Sequence, residues 1–195
     1  MAGLGVVRGF HGTTVKAAQA IIDGSLNLST RPASWLGYGR YFFQDAPDYA
    51  RKWAEMTAGR ASRGNEGGPA VLAVDIDLSR CLDLASGAYW SFVKQAANQY
   101  RAPKRQLGPL SIYLDAGISN KVALGRNFED CDIMNAVVES LKRRMQSLGG
   151  DITTVRSAFI EGTPMHETSW LFSNSCIMLS VLEKKAFVSA FEQVM

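Results

Sequence analysis

Apolar positions along the chain fall into short β-prone runs and longer amphipathic stretches, and their spacing separates strands from helices. Val6 to Phe10 is apolar and predicts a strand that delivers His11-Gly12 at its end. Thr14 follows as a helix N-cap, with Val15, Ala18 and Ile22 at helical spacing and Gly24 suited to the C′ position. A polar connection, Ser25 to Ser34, leads into Trp35-Leu36-Gly37-Tyr38-Gly39-Arg40-Tyr41-Phe42-Phe43, whose aromatic end predicts a strand. Asp45-Ala46-Pro47 opens a second helix, with Asp45 as cap and Pro47 in the first turn; Tyr49, Ala50, Trp53 and Ala54 form its apolar face. Ala70 to Leu78 predicts a strand whose later half alternates as if one face were wet. Tyr89 to Tyr100 reads as a helix, Arg101 to Asn127 as loops with a short helix or two, and Asp130 to Leu148 as a long helix stopped by Gly149-Gly150. Thr153 to Ile160 and Cys176 to Leu182 supply the last strands. Strands do not alternate strictly with helices and no repeat is present, so the expected class is α+β, in a single domain over residues 1–195.

Composition narrows the setting. Of 195 residues, 47% are hydrophobic and 20% charged, enough to bury one core. The N-terminus has no basic start followed by an apolar stretch, and no apolar run approaches the roughly 20 residues of a membrane span. Cys81, Cys131 and Cys176 are scattered without CxxC spacing and there are two histidines, which predicts neither a disulfide framework nor a metal site and fits a reducing cytoplasm. The net charge of +3 is uneven: between Lys94 and Arg126 six cations face Asp115 alone, and Lys142-Arg143-Arg144 forms a second cluster. Solvated faces account for such runs, and so does a surface for a polyanion such as RNA or DNA.

Two motifs carry chemistry. Phe10-His11-Gly12-Thr13 before a helix, then Gly37-Tyr38-Gly39-Arg40-Tyr41-Phe42 before another, resembles the His-Tyr-Glu, poly-ADP-ribose-polymerase-like branch of the ADP-ribosyltransferases. The match covers the first third of the chain, with a looser one near the C-terminus. The resemblance implies a split, mostly antiparallel β core flanked by helices, with NAD as substrate. Breaking the nicotinamide–ribose bond generates an oxocarbenium-like centre, so positioning and electrostatics dominate. By that resemblance His11 contacts a ribose hydroxyl, Gly12 brings its peptide groups to the carboxamide, Thr13 completes the NAD-binding motif, and Tyr41 stacks on nicotinamide. A satisfied strand-end histidine and a core aromatic are the plain alternatives for His11 and Tyr41, and the Gly-x-Gly before Tyr41 has no packing purpose evident in the sequence. Tyr49 stands where the family carries a serine; it offers a hydroxyl or a second aromatic face, or packs in the core.

The family's glutamate is expected near Ser175, where no carboxylate stands. Three readings remain: Glu161, after an apolar strand and before Gly162-Thr163-Pro164, takes the catalytic role; Ser175 or Asn174 fills the position in a weaker transferase; or the domain binds NAD without turnover. Glu167 and His166 fall in the intervening loop, and Asp130 and Asp132 are read as acids at a helix start. The resemblance implies mono-ADP-ribosyl transfer from NAD to a macromolecule, nucleic acid or protein. A small cytoplasmic member of this kind resembles toxins of bacterial toxin–antitoxin and anti-phage modules, with an antitoxin partner. NAD hydrolysis and non-catalytic NAD or ADP-ribose binding are the alternatives; tRNA 2′-phosphotransfer lacks its basic residue set here.

Overall fold

The computed structural model describes residues 4–30, 34–60, 67–104, 121–147, 150–160, 162–169 and 171–195, with backbone alone at 100–104 and 121–128. The described chain runs β1 (Val6–Thr14), α1 (Val15–Ile22), β2 (Arg40–Gln44), α2 (Pro47–Arg60), β3 (Pro69–Asp77), β4 (Cys81–Asp83), α3 (Trp90–Lys104), α4 (Lys121–Gln146), β5 (Thr154–Phe159), β6 (Cys176–Val181), a 3₁₀ turn (Lys184–Ala186) and β7 (Glu192–Gln193). The strands form one seven-stranded sheet in the order β4-β5-β6-β2-β1-β3-β7. Only β4 and β5 run parallel; the other neighbours are antiparallel. Mixed α/β with a mostly antiparallel sheet is what the α+β expectation requires.

Alternation sorts side chains onto two faces. On one, Phe42, Val74, Ile76, Leu179 and Val181 pack with Phe187 and Phe191 of the C-terminal segment, while Ala18 and Ile21 of α1 cover Ala70 and Leu72. On the other, Ala50 and Ala54 of α2 lie on Phe43 and Val71, and Val93 of α3 with Ile133, Met134 and Val137 of α4 covers Leu82 and Val155. Polar ties cross the sheet: Arg156 donates to Asp83 Oδ1 and to Gln44 Oε1, each at 2.9 Å.

Several boundaries differ from the sequence expectations. β1 does not stop at Phe10. It pairs with β3 over all nine of its residues, so His11-Gly12-Thr13 lies inside a central strand. Thr14 caps α1 as expected, accepting from Ala17 N at 3.4 Å, and Gly24 ends it at φ 92°. Asp45 is not the cap of α2. It adopts φ 50° one residue earlier, leaving Ala46 at the cap and Pro47 as the first helical residue. Trp53 leaves the apolar face and is 48% exposed, because the close approach of α2 to β1 accepts only alanines. The basic middle segment is helical at both described ends, since α3 continues to Lys104 and α4 starts at Lys121. Asp130 and Asp132 therefore sit within α4, far from the helix N-terminus, and the dipole argument for them fails. The short strands β4 and β7 were not expected. Two or three residues carry too little periodicity to register in sequence.

No helix among the described residues is long and apolar enough to cross a membrane, and none of their His, Cys, Asp and Glu groups cluster as a metal site.

Candidate functional site

The site begins where β1 and β2 part. Their register covers only Gly9–Gln44 and Phe10–Phe43, although β1 continues to Thr14 and β2 begins at Arg40. Beyond Phe10, β1 stays on β3 and β2 stays on β6, where Tyr41 pairs with Ser180. Arg8 O accepts from Asp45 N at 2.9 Å, so the peptide groups of Arg8 face β2. The two-residue alternation of an antiparallel strand directs those of Phe10 and Gly12 to the same edge. The Gly12 N–H and C=O thus point into the parting of the strands.

His11 spans that parting. Its Nδ1 lies 2.8 Å from Tyr41 O. A carbonyl oxygen only accepts, so Nδ1 carries the proton and donates. Burial, reinforced by the nearby Arg40 guanidinium, lowers the His11 pKa from 6.5 to about 4, against the opposing Tyr41 hydrogen bond. The ring is neutral at pH 7, with Nε2 left as an acceptor for a hydroxyl. His11 packs 5.5 Å from the Phe42 ring, on the face opposite Tyr41.

Gly12 is required by packing as well as by chemistry. A Cβ there would lie 2.0 Å from Ala50 O and 2.8 Å from Ala54 N, both backbone atoms of α2. Gly12 and Thr13 are buried, and Thr13 faces the same side as His11.

Tyr41 is locked at its hydroxyl, which accepts from Leu36 N at 2.7 Å and donates to Gly37 O at 3.0 Å. Burial raises its pKa well above the usual phenol value, so it stays protonated. The Gly-x-Gly before it has the packing purpose that sequence alone did not reveal. Gly37 has φ 78° and a Cβ there would meet Asn135 Oδ1 at 2.7 Å; at Gly39 it would meet Ser180 Oγ at 2.3 Å. Asn135 of α4 also accepts from Tyr38 N at 2.8 Å, so one side chain anchors the loop that holds the Tyr41 hydroxyl. Asn135→Ala is expected to lower stability by about 1–2 kcal/mol through the unpaired loop, read as a lower urea midpoint. An unchanged midpoint would show that the loop holds Tyr41 without α4.

Tyr49 stacks on Phe43 at 6.1 Å and 25°, and its hydroxyl donates to Ser173 O at 3.2 Å. It ties the start of α2 to the segment before β6. Glu161 lies outside the described residues, but both its flanks are placed. Phe159 pairs with Cys176, and Thr163 N donates to Ser173 Oγ at 3.2 Å, so the chain on either side of 161 lies beside residues 173–176. Ser175 immediately precedes β6, five residues from Ser180, the partner of Tyr41, about 16 Å at the usual strand rise. The fold therefore groups His11, Gly12 and Tyr41, and groups Tyr49 with Ser173–Ser175 at the other end of the β2–β6 ladder. His166 and Glu167 are exposed.

Sequence reasoning missed Arg40. Its charge acts on His11, and it donates to Asn27 O. The available signal was a lone cation directly before the first aromatic of β2. The cysteines are free thiols; burial pushes Cys81 up to about 11, which leaves it no thiolate at neutral pH. Comparison of the chain with protein-family models, curated proteins and solved structures gave no match.

Proposed function

We propose that the chain is an NAD-dependent mono-ADP-ribosyltransferase built on an ADP-ribosyltransferase-like split sheet. The observation that carries this reading is the parting of β1 and β2 at the His-Gly motif, with a neutral His11 and the Gly12 peptide groups at its edge. In this reading His11 Nε2 accepts a ribose hydroxyl, and the Gly12 N–H and C=O pair with the carboxamide, which offers one acceptor and two donors. The Tyr41 ring offers nicotinamide a flat face held fixed by the 36–37 loop. Arg40 supplies positive charge for the pyrophosphate beside His11. Glu161 is the carboxylate that the sequence offers to the ribosyl cation, through the ribose 2′-hydroxyl; its flanks lie beside residues 173–176, so this role requires the bound ribose to reach from Tyr41 along the β2–β6 ladder. The acceptor is a macromolecule, and the role a bacterial toxin restrained by an antitoxin.

The test is nicotinamide release from NAD by wild type, His11→Ala, Tyr41→Ala and Glu161→Gln. His11→Ala and Tyr41→Ala are expected to fall by at least 100-fold, in line with lost positioning. Glu161→Gln is expected to fall by a similar factor. Full activity in Glu161→Gln beside an inactive His11→Ala removes the carboxylate assignment and keeps the cleft. Wild type that releases no nicotinamide with RNA, DNA or protein present ends the enzyme reading.

A further inference from the structure

A cavity of about 530 Å³ opens between α3, α4 and the Trp35-Leu36 turn, apart from the β1–β2 parting. Leu36 divides the two: it lines the cavity, while its N–H holds the Tyr41 hydroxyl. Three aromatic rings line the cavity among aliphatic side chains. Trp35 and Phe159 lie with ring centroids 4.6 Å apart, and Trp90, at the head of α3, is 53% exposed. Lys94 stands on the same wall as Trp90.

The charge around this cavity has a direction. Trp90, Lys94 and Ala97 follow one another at i, i+4 and i+7 on α3, and all three line the cavity. The helix register carries that face on to positions 101 and 104, which the sequence fills with arginine and lysine. At the other end, the Arg144 guanidinium of α4 lies 6.0 Å from the Phe92 ring, which brings a further cation to the start of α3. An exposed tryptophan lining a cavity at the head of a basic helical face matches how proteins hold single strands. Bases stack on aromatic faces while cations follow the phosphates.

We infer that this cavity takes one unpaired base of a single-stranded nucleic acid whose backbone runs along the Lys94 face of α3. A duplex base is covered on both sides by its neighbours and cannot enter, whereas every unpaired base presents a free π-face. The docking stands on these residues alone. Its use as the acceptor platform, across Leu36 from the NAD site, rests on the transferase reading above.

The experiment titrates the full chain with 12-nucleotide single strands of RNA and of DNA, an abasic strand of equal length, and a duplex, following tryptophan fluorescence. Single strands are expected to quench the fluorescence and bind roughly 5- to 100-fold more tightly than the abasic strand. Trp90→Ala should lose that same factor, Trp90→Phe should keep it, and Lys94→Glu should weaken every strand and flatten the salt dependence. A stronger response to RNA or to DNA identifies the source. Equal affinity for intact, abasic and duplex nucleic acid overturns the base pocket, as does a Trp90→Ala protein with wild-type affinity. Nicotinamide release with RNA, DNA or protein present, measured on the same proteins, separates the two proposals. Strand binding without release keeps the pocket and removes the transferase; release without base-dependent binding does the reverse.

Discussion

Gly12→Ala is expected to destabilise the protein by at least 1–3 kcal/mol and to abolish any NAD-dependent activity. The added methyl would sit 2.0 Å from the Ala50 carbonyl oxygen and 2.8 Å from Ala54 N. Neither is the far end of a flexible side chain. Both belong to the helix backbone, so relief requires α2 to shift away from β1, and with it the Phe43, Val71, Ala50 and Ala54 contacts. That displacement also moves Tyr49 and its link to Ser173. Gly5→Ala is the control, because a Cβ there has nothing within 4 Å. Urea midpoints of the two variants decide the point: a Gly12→Ala midpoint equal to that of Gly5→Ala would mean that α2 does not rest on β1 as described.

The second large effect is acid lability through His11. Its pKa is about 4 when folded and about 6.5 in the unfolded chain, so between these values the unfolded state binds more protons. Stability is therefore whole above about pH 6.5, declines as pH falls towards 4, and changes no further on this account below that. The contribution is on the order of 3 kcal/mol. The structural cost of protonation is plain, since the charge would be buried beside Arg40. His11→Asn retains an N–H for Tyr41 O and removes the titration. Its unfolding free energy is expected to lose most of the pH slope between 4 and 6.5 that wild type shows. An identical slope in both proteins would mean that His11 is solvated and titrates normally.

The two effects act at adjacent residues with opposite side-chain directions. His11 reaches one face and closes the parting through Tyr41 O, while Gly12 gives its Cα to α2 and its peptide groups to the opened edge. Adjacent strand residues face opposite ways, so one dipeptide serves the helix packing and the parting together.

Much of this was legible in the chain. Strand β1, the Thr14 cap, β2 with its aromatics, β3, β5 and β6 follow from local periodicity and capping, which depend on neighbours a few residues apart. His11, Gly12 and Tyr41 were marked by motif. Tertiary structure decided the rest. Only the nine-residue pairing with β3 carries β1 through His11-Gly12-Thr13, and only the divergence of β2 towards β6 opens the sheet there. The neutral state of His11 comes from burial and from Arg40, and the lock on Tyr41 comes from a loop anchored by Asn135, 97 residues from Tyr38. Such contacts are set by long-range pairing, which no short window of sequence contains.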